Sequence, residues 1–383
     1  PRLALISFQY FAAMVLIVST ATLRRQLNFM RSVDLGIGID QTLVFKTPAK
    51  TENYDTKLET LVQNMKTVSG VHVITTSSSI PGRSDAFVMS NERDSDASKA
   101  TRLCDMLRID PDFIPAYQLT ILKGRNFSRD NPADKQNAVI LTQHSLQLFG
   151  FKNEEDALNG AINLEGQGNR KFTVIAVIKD FHLLSPKEGL RPIVLIMFNP
   201  WSAIDMNFVS IKLGGANSGN IISATEKQFK NIFPGSSFDS FFLDDYFNAQ
   251  YRGDLKYGAI ITVFTWLALI IVCLGIFGLS SFMLIKRARE IAIRKVIGAG
   301  MLQILQLLNL EFIQCIGIAF LLAIPIGWWA IHSWLQNFEN RTTISWWVFL
   351  LALATTIIIT LATVSVLAIK TILSNPTENL RTE

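Results

Sequence analysis

KRAREIAIRKVIGAG, residues Lys286 to Gly300, is a basic stretch between two long segments without a charged residue. Tyr257–Ile285 precedes it and Phe312–Phe338 follows it. Each exceeds the roughly 20 apolar residues that cross a bilayer core of about 30 Å. Lys286, Arg287, Arg289, Arg294 and Lys295 therefore sit in a short loop between two spans, opposed only by Glu290. Short loops rich in Lys and Arg stay on the cytoplasmic side, so this loop is expected to face the cytoplasm.

Two further uncharged stretches are long enough to span. Leu3–Leu23 lies between Arg2 and Arg24, and Trp346–Ile369 lies between Arg341 and Lys370. The Trp346-Trp347 pair suits a headgroup region. Alternation of crossings then puts the N-terminus inside, the region up to Lys256 outside, residues 333–345 in a short outer loop, and the tail inside. Arg24, Arg25 and Arg31 fall on the outer side, which long translocated domains tolerate. The expected fold is an α-helical membrane protein with four transmembrane helices and a large mixed α/β extracytoplasmic domain between helices 1 and 2. The first helix is assigned to residues 1–24, the outer domain to 25–256 and the remaining membrane domain to 257–383, with spans near 257–285, 304–332 and 346–370.

Composition agrees. Hydrophobic residues make up 49% of the 383 and charged residues 17%, and mean hydropathy is +0.29, yet a long polar middle is present. The net charge of +5 lies largely beside the spans, which argues for juxtamembrane cations rather than a nucleic-acid surface. Cys104, Cys273 and Cys315 are scattered and form no C-x-x-C pair, which excludes a disulfide framework.

The polar middle alternates strand and helix signals. Strands are expected at 41–46 and 71–77 around a helix at 54–68, whose Leu58, Leu61, Val62 and Met65 share a face. Residues 84–100 are polar and charged and read as an exposed loop. A short helix is expected at 111–119, a strand at 138–141 and a helix at 143–149 closed by Gly150. Strand signals follow at 161–164, 172–178, 193–198 and 208–213. A helix at 217–232, a strand at 237–243 and a helix at 245–256 running straight into the second span complete the region.

These motifs, in this order, resemble an ABC transporter permease of the MacB/FtsX-like type, and within it the C-terminal half of the duplicated, eight-helix permeases common in Bacteroidota. SSFMLIKRAREIAIRKVIGAG at Ser280–Gly300 is similar to the family's pattern after the second helix of a unit, and NPTENLR at Asn375–Arg381 to its terminal signature. GRNFS at Gly124–Ser128 and TVIAVIKDFH at Thr173–His182 resemble signatures of the MacB-like periplasmic core domain. WLQNFENR at Trp334–Arg341 fits the outer loop, and Phe8-Gln9-Tyr10-Phe11 with Arg25-Gln26 fits the helix that opens the second half. The resemblance implies a non-catalytic subunit that transmits motion across the bacterial inner membrane beside a cytoplasmic ABC ATPase, which would bind the ATP and Mg. It also implies a second permease half or a homodimer partner, with periplasmic or outer-membrane components as further partners. A chain that opens on Pro1-Arg2, already entering a membrane, reads as a piece of something longer.

On a helical wheel Arg287, Glu290 and Arg294 share a stripe, with Ala292, Ile293, Val296 and Ile297 broadly opposite. Such a helix lies on a membrane surface with its apolar face down. The resemblance implies that this segment meets the ATPase, and on that ground coupling is assigned to Arg287, Arg289, Glu290, Arg294, Lys295, Gly298 and Ala299, the last two giving a flexible break. Pro325 and Gly327 mark a kink in the third span. A plain topology anchor explains the cations but not Glu290 or the two-sided pattern.

Other chemistries find little support. No G-x-x-x-x-G-K-[ST] phosphate loop occurs, so no cofactor is expected in this chain. The spans carry no mid-bilayer charge, which argues against an ion-coupled transporter. His72, His144, His182 and His332 show no ligand spacing, and His182 reads better as a turn residue than as a metal contact. No nucleic acid is expected as a partner. The alternative to a permease is an envelope sensor or a regulator of a periplasmic enzyme.

Overall fold

A computed structural model describes residues 2–48, 52–83, 87–93, 102–164, 171–197, 206–214, 218–286, 290, 293–294 and 300–373. The chain divides into two units. One comprises residues 1–32 and 253–383, the other residues 33–252.

The first unit is the membrane part. Its four spanning helices are Arg2–Ser32, Arg252–Lys286, Met301–Leu335 and Trp347–Leu373, called the first to fourth spans below. The first span carries much of its core. Ile6, Tyr10, Ala13, Met14 and Ile17 recur at helical spacing and are buried with Phe312, Ile316 and Ala319 of the third span and Ala352 and Val364 of the fourth. Tyr10 is fully buried, and its hydroxyl lies 3.0 Å from Thr360 Oγ1. That pairing satisfies a polar atom in a region where water cannot.

The second span is different. Its apolar residues point in every direction, and Val263, Trp266, Ile270 and Leu274 are more than half exposed. Only a narrow stripe of Gly258, Thr265, Val272, Ile276, Ser280 and Leu284 is buried. Small residues bring parts of it close to the first span. A Cβ on Gly258 would come 2.6 Å from Leu23 Cδ2, one on Gly275 would meet Gln9 Oε1, and Thr265 Oγ1 bonds Thr20 Oγ1 at 2.7 Å. Small residues with a bridging hydroxyl are how helices approach closely in lipid.

The α/β unit is two sheets, one inserted into the other. The host is a four-stranded antiparallel sheet in the order β11-β1-β10-β2, from β1 (Thr42–Lys46), β2 (Val71–Ser77), β10 (Phe208–Leu213) and β11 (Ser240–Phe242). Helices Tyr54–Lys66 and Ser218–Ile232 cover it, with Phe45, Leu61, Met65, Ile211 and Phe229 in the core between. Everything from β3 to β9 is inserted between β2 and β10.

The insertion comprises β3 (Phe87–Arg93), β4 (Arg102–Arg108), β5 (Ile121–Gly124), β6 (Ala138–Thr142), β7 (Ala161–Leu164), β8 (Lys171–Ile178) and β9 (Ile193–Ile196). Their order is β5-β8-β6-β9-β4-β3-β7, and β7 returns to pair with β8. Six of the strands thus close on themselves. The free edge of β8 is shared, β7 taking residues 171–173 and β5 residues 176–178. Only β4–β9 and β6–β8 are parallel. Met106, Val139, Leu141, Phe149, Phe172 and Val194 belong to its core cluster.

Three expectations are corrected, and one strand was not expected. Residues 87–93 are a strand, paired on both sides by β4 and β7, whereas 84–86 and 94–100 lie outside the described residues. A strand inside a closed ring has its backbone groups paired on both edges, so a polar sequence holds there without an apolar run. Residues 102–108 are a strand, and its Cys104, Asp105, Met106 and Leu107 are all buried, so the period-2 alternation is absent. The first span does not end near residue 24 but runs to Ser32, and the α/β unit starts correspondingly later. The helix before the second span does not run straight into it. Leu243–Ala249 ends, Gln250 and Tyr251 make a turn, and a new helix begins at Arg252. Gln250 Nε2 donates to the Gly82 carbonyl at 2.6 Å and Tyr251 is buried, which fixes both residues to the α/β unit.

Candidate functional site

The second span continues as helix to Lys286, and Glu290, Ile293 and Arg294 beyond it are helical too. Glu290 and Arg294 pair at 2.8 Å, each side chain nearly half exposed. The acid-first i,i+4 order is the favourable one, worth about 0.3–0.5 kcal/mol at such exposure. So small a contribution leaves both groups available to another surface. Ile293 is 52% exposed, and the other residues of the expected apolar face, Ala292, Val296 and Ile297, lie outside the described residues. Arg287, Arg289, Lys295, Gly298 and Ala299, also assigned to coupling, lie outside the described residues. Gly300 is the N-cap of the third span. Gln303 Oε1 accepts the Gly300 N–H at 3.3 Å, and the Gln303 N–H donates to the Gly300 carbonyl at 3.1 Å.

Pro325 lies inside the third span, which continues through it. Its ring removes the hydrogen bond that the Leu321 carbonyl would otherwise accept. A Cβ on Gly327 would stand 3.6 Å from Phe349, an ordinary contact.

At the Ser32 end, a polar lock joins the first span to the loop between the third and fourth. Gln26 is completely buried. Its Nε2 donates to the Asn340 carbonyl (2.8 Å), and its Oε1 accepts from the Thr342 N–H (2.8 Å) and hydroxyl (3.0 Å). Arg25 beside it donates to the Ser345 hydroxyl. Sequence reading noted Arg25-Gln26 only as part of a motif. Partners more than 300 residues away leave no local signal.

Residues 262–376 match the family model described as the FtsX-like permease C-terminal domain. Over that segment the chain resembles the FtsX-like permeases. Two of the solved structures similar to it cover its α/β part. One is the extracellular domain of the noncanonical ABC-type transporter YknZ from Gram-positive bacteria, 18% identical over 52% of this chain and 97% of that chain, with a TM-score of 0.36. The other is the periplasmic region of MacB from Actinobacillus actinomycetemcomitans, 12% identical over 58% and 98%, with a TM-score of 0.40. No curated protein matches this chain.

The two motifs of the α/β unit turn out to be construction joints. In GRNFS, Gly124 has φ +92° and its position for a Cβ is filled by the Ile175 carbonyl. Arg125 grips the buried Asp134 with two bonds of 2.6 and 2.8 Å, and the Ser128 N–H adds a third at 2.8 Å. Burial pushes the Asp134 carboxyl up, but the bonds from Arg125 and Ser128 outweigh it and hold it below the usual carboxylate range. Asn126 Nδ2 reaches the Pro111 carbonyl at 2.8 Å. In KDFH, Asp180 Oδ1 accepts the His144 N–H at 2.7 Å in the first turn of helix Gln143–Phe149, where an anion suits the helix dipole. The buried His182 gives its backbone N–H to the Leu35 carbonyl at 2.8 Å. GRNFS thus ties β5 to β8 and to the turn at Pro111, and KDFH ties the end of β8 to helix Gln143–Phe149 and to Leu35.

Proposed function

We propose that this chain is the membrane subunit, or half of it, of an ATP-driven ABC assembly in the bacterial cytoplasmic membrane, and that it converts ATPase closure into motion of a periplasmic α/β unit. One observation supports this reading above the others. The second span is a single helix leading into the exposed Glu290–Arg294 segment at one end and into the α/β unit at the other. It is also the span held by a narrow buried stripe.

The first, third and fourth spans are tied to one another by Tyr10–Thr360 and by the Gln26 lock, and the second span joins their apolar core through Val272, Ile276 and Leu284. In this reading the first, third and fourth form one body. A push on the Glu290–Arg294 segment then moves the second span along its Gly258–Gly275 stripe rather than tilting the second to fourth spans together. Apolar packing in lipid resists such sliding weakly, since exchanging one apolar neighbour for another costs little. The ATPase would hold the nucleotide and metal, and this chain would supply contact and stiffness. The cargo is whatever the periplasmic unit grips.

The test is charge reversal at the paired positions. Glu290→Lys with Arg294→Glu preserves a mutual attraction but inverts the pattern offered to a partner. The expected result, with the cognate ATPase reconstituted in nanodiscs, is loss of ATPase recruitment and of permease-stimulated hydrolysis while the variant stays folded. Unchanged recruitment and turnover would favour the sensor reading instead.

A further inference from the structure

Three separate contacts bring cations to one level at the Ser32 end of the first span. Gly258 of the second span lies against Leu23 and Leu27, whose side chains stand 2.6 and 3.6 Å from where its Cβ would be. Lys256 and Tyr257 are therefore within a helical turn of Arg24. Gln26 holds Asn340 and Thr342, and Arg341 lies between those two in the chain. Arg25 donates to the Ser345 hydroxyl, next in the chain to Trp346 and Trp347. Arg24, Lys256 and Arg341 are exposed, and among the described residues no side chain or carbonyl pairs with any of the three. Asp254 and Glu339 are the acids beside them in the chain, so the four cations are in excess.

Aromatic residues fix the depth of that level. Tyr257 (54% exposed), Trp346 (74%) and Trp347 (45%) adjoin the cations on two different spans, and Tyr and Trp collect at the headgroup boundary. Further into the spans, Ile260, Val263 and Leu350 are exposed, as lipid-facing residues are. This is the end of the second span away from Lys286. The charge bias that places cations on the cytoplasmic side gives no reason for them here.

We infer that these cations form a collar that holds anionic phospholipid, by its phosphate, in the leaflet opposite residues 286–300. A guanidinium meets a phosphate with two parallel N–H donors, and an ammonium adds a point charge. The exposed tryptophans give the glycerol and upper acyl region an amphipathic wall, which a free anion would not use. A zwitterionic headgroup brings its own cation into a region already in positive excess, so a lipid of net negative charge fits better. This inference rests on the membrane reading alone, and its test needs no ATPase.

A benzophenone amino acid at position 346 of the full chain, in nanodiscs of equal phosphatidylglycerol and phosphatidylcholine, cross-links the lipid beside the collar, and mass spectrometry identifies the adduct. The expected result is phosphatidylglycerol in about fivefold excess, the preference that one surplus charge at a membrane surface sustains. Arg24→Gln, Lys256→Gln and Arg341→Gln together should bring the ratio to one or below with the helix content unchanged. Arg24→Lys with Arg341→Lys should keep it. The same probe at Ile285, at the other end of the second span, should give one ratio in the native chain and in the glutamine variant. Equal labelling by the native chain, a preference that survives the three glutamines, or a loss seen equally at position 285 would each overturn the assignment. So would a preference abolished by inorganic phosphate at constant ionic strength, since the ligand would then be a free anion.

Discussion

Gln26 is the residue on which the membrane unit's cohesion turns at its Ser32 end. Replacing it by Leu keeps the volume but strands the Asn340 carbonyl and the Thr342 N–H. Each unsatisfied buried group costs about 1–3 kcal/mol. The expected outcome of Gln26→Leu is faster hydrogen exchange at Thr342 and a lowered unfolding temperature, with the helices themselves intact. His182 gives a pH dependence. Burial, first among its influences, lowers its pKa from the ordinary 6.5, against the opposing pull of Asp34, the Gly189 carbonyl and Asp180. It is thus neutral in the fold, and the unfolded chain binds the extra proton. Stability is complete above pH 6.5 and falls as the pH drops from there toward the lowered folded value. His182→Gln should flatten that slope in unfolding midpoints measured between pH 5 and 8. At this scale the sequence was a partial guide. It marked GRNFS, KDFH and Arg25-Gln26 as worth attention, but the partners Asp134, Leu35 and Thr342 are contributed by other elements and left no trace in the motifs themselves.

Among the elements, the spans and the clearly periodic segments were legible because burial and period coincide in them. Helix 143–149, ended by Gly150 at φ +71°, and strands 161–164 and 208–213 fall where their patterns put them. The failures share a cause. Strands 87–93 and 102–108 are set by backbone pairing within a closed ring, which overrides composition. The turn at Gln250–Tyr251 exists because the Gly82 carbonyl, 168 residues earlier, takes the Gln250 amide. The second span yields the sharpest test of the proposed mechanics, in a background free of the native cysteines. A disulfide from Thr20→Cys with Thr265→Cys ties the second span to the first, and one from Gln26→Cys with Thr342→Cys ties parts already held together. The former is expected to arrest permease-stimulated ATP hydrolysis and the latter to leave it near the uncross-linked rate. Equal effects would contradict a second span that moves against the other three.

At the scale of the whole molecule the chain is nested three deep. The membrane unit is interrupted by the four-stranded sheet, and that sheet is interrupted in turn by the closed one. Residues far apart in sequence must therefore meet before either sheet is complete, as β1 with β10 illustrates. Such non-local pairing is slow to form. Yet the inner interruption leaves and returns at one place, since Ser77 ending β2 is the register partner of Phe208 beginning β10. Replacing residues 79–206 by a tight turn is expected to preserve the β11-β1-β10-β2 sheet, read as protected amides on Val44, Ile74 and Ile211 in hydrogen exchange of the full chain. Loss of that protection would show that the inner sheet is needed to hold the outer one.

That shared doorway has a consequence for how such proteins diversify. Two antiparallel neighbours paired at one rung stand about 5 Å apart, so whatever hangs between them is a cassette on a single socket. Exchanging it needs no rethreading of the host sheet.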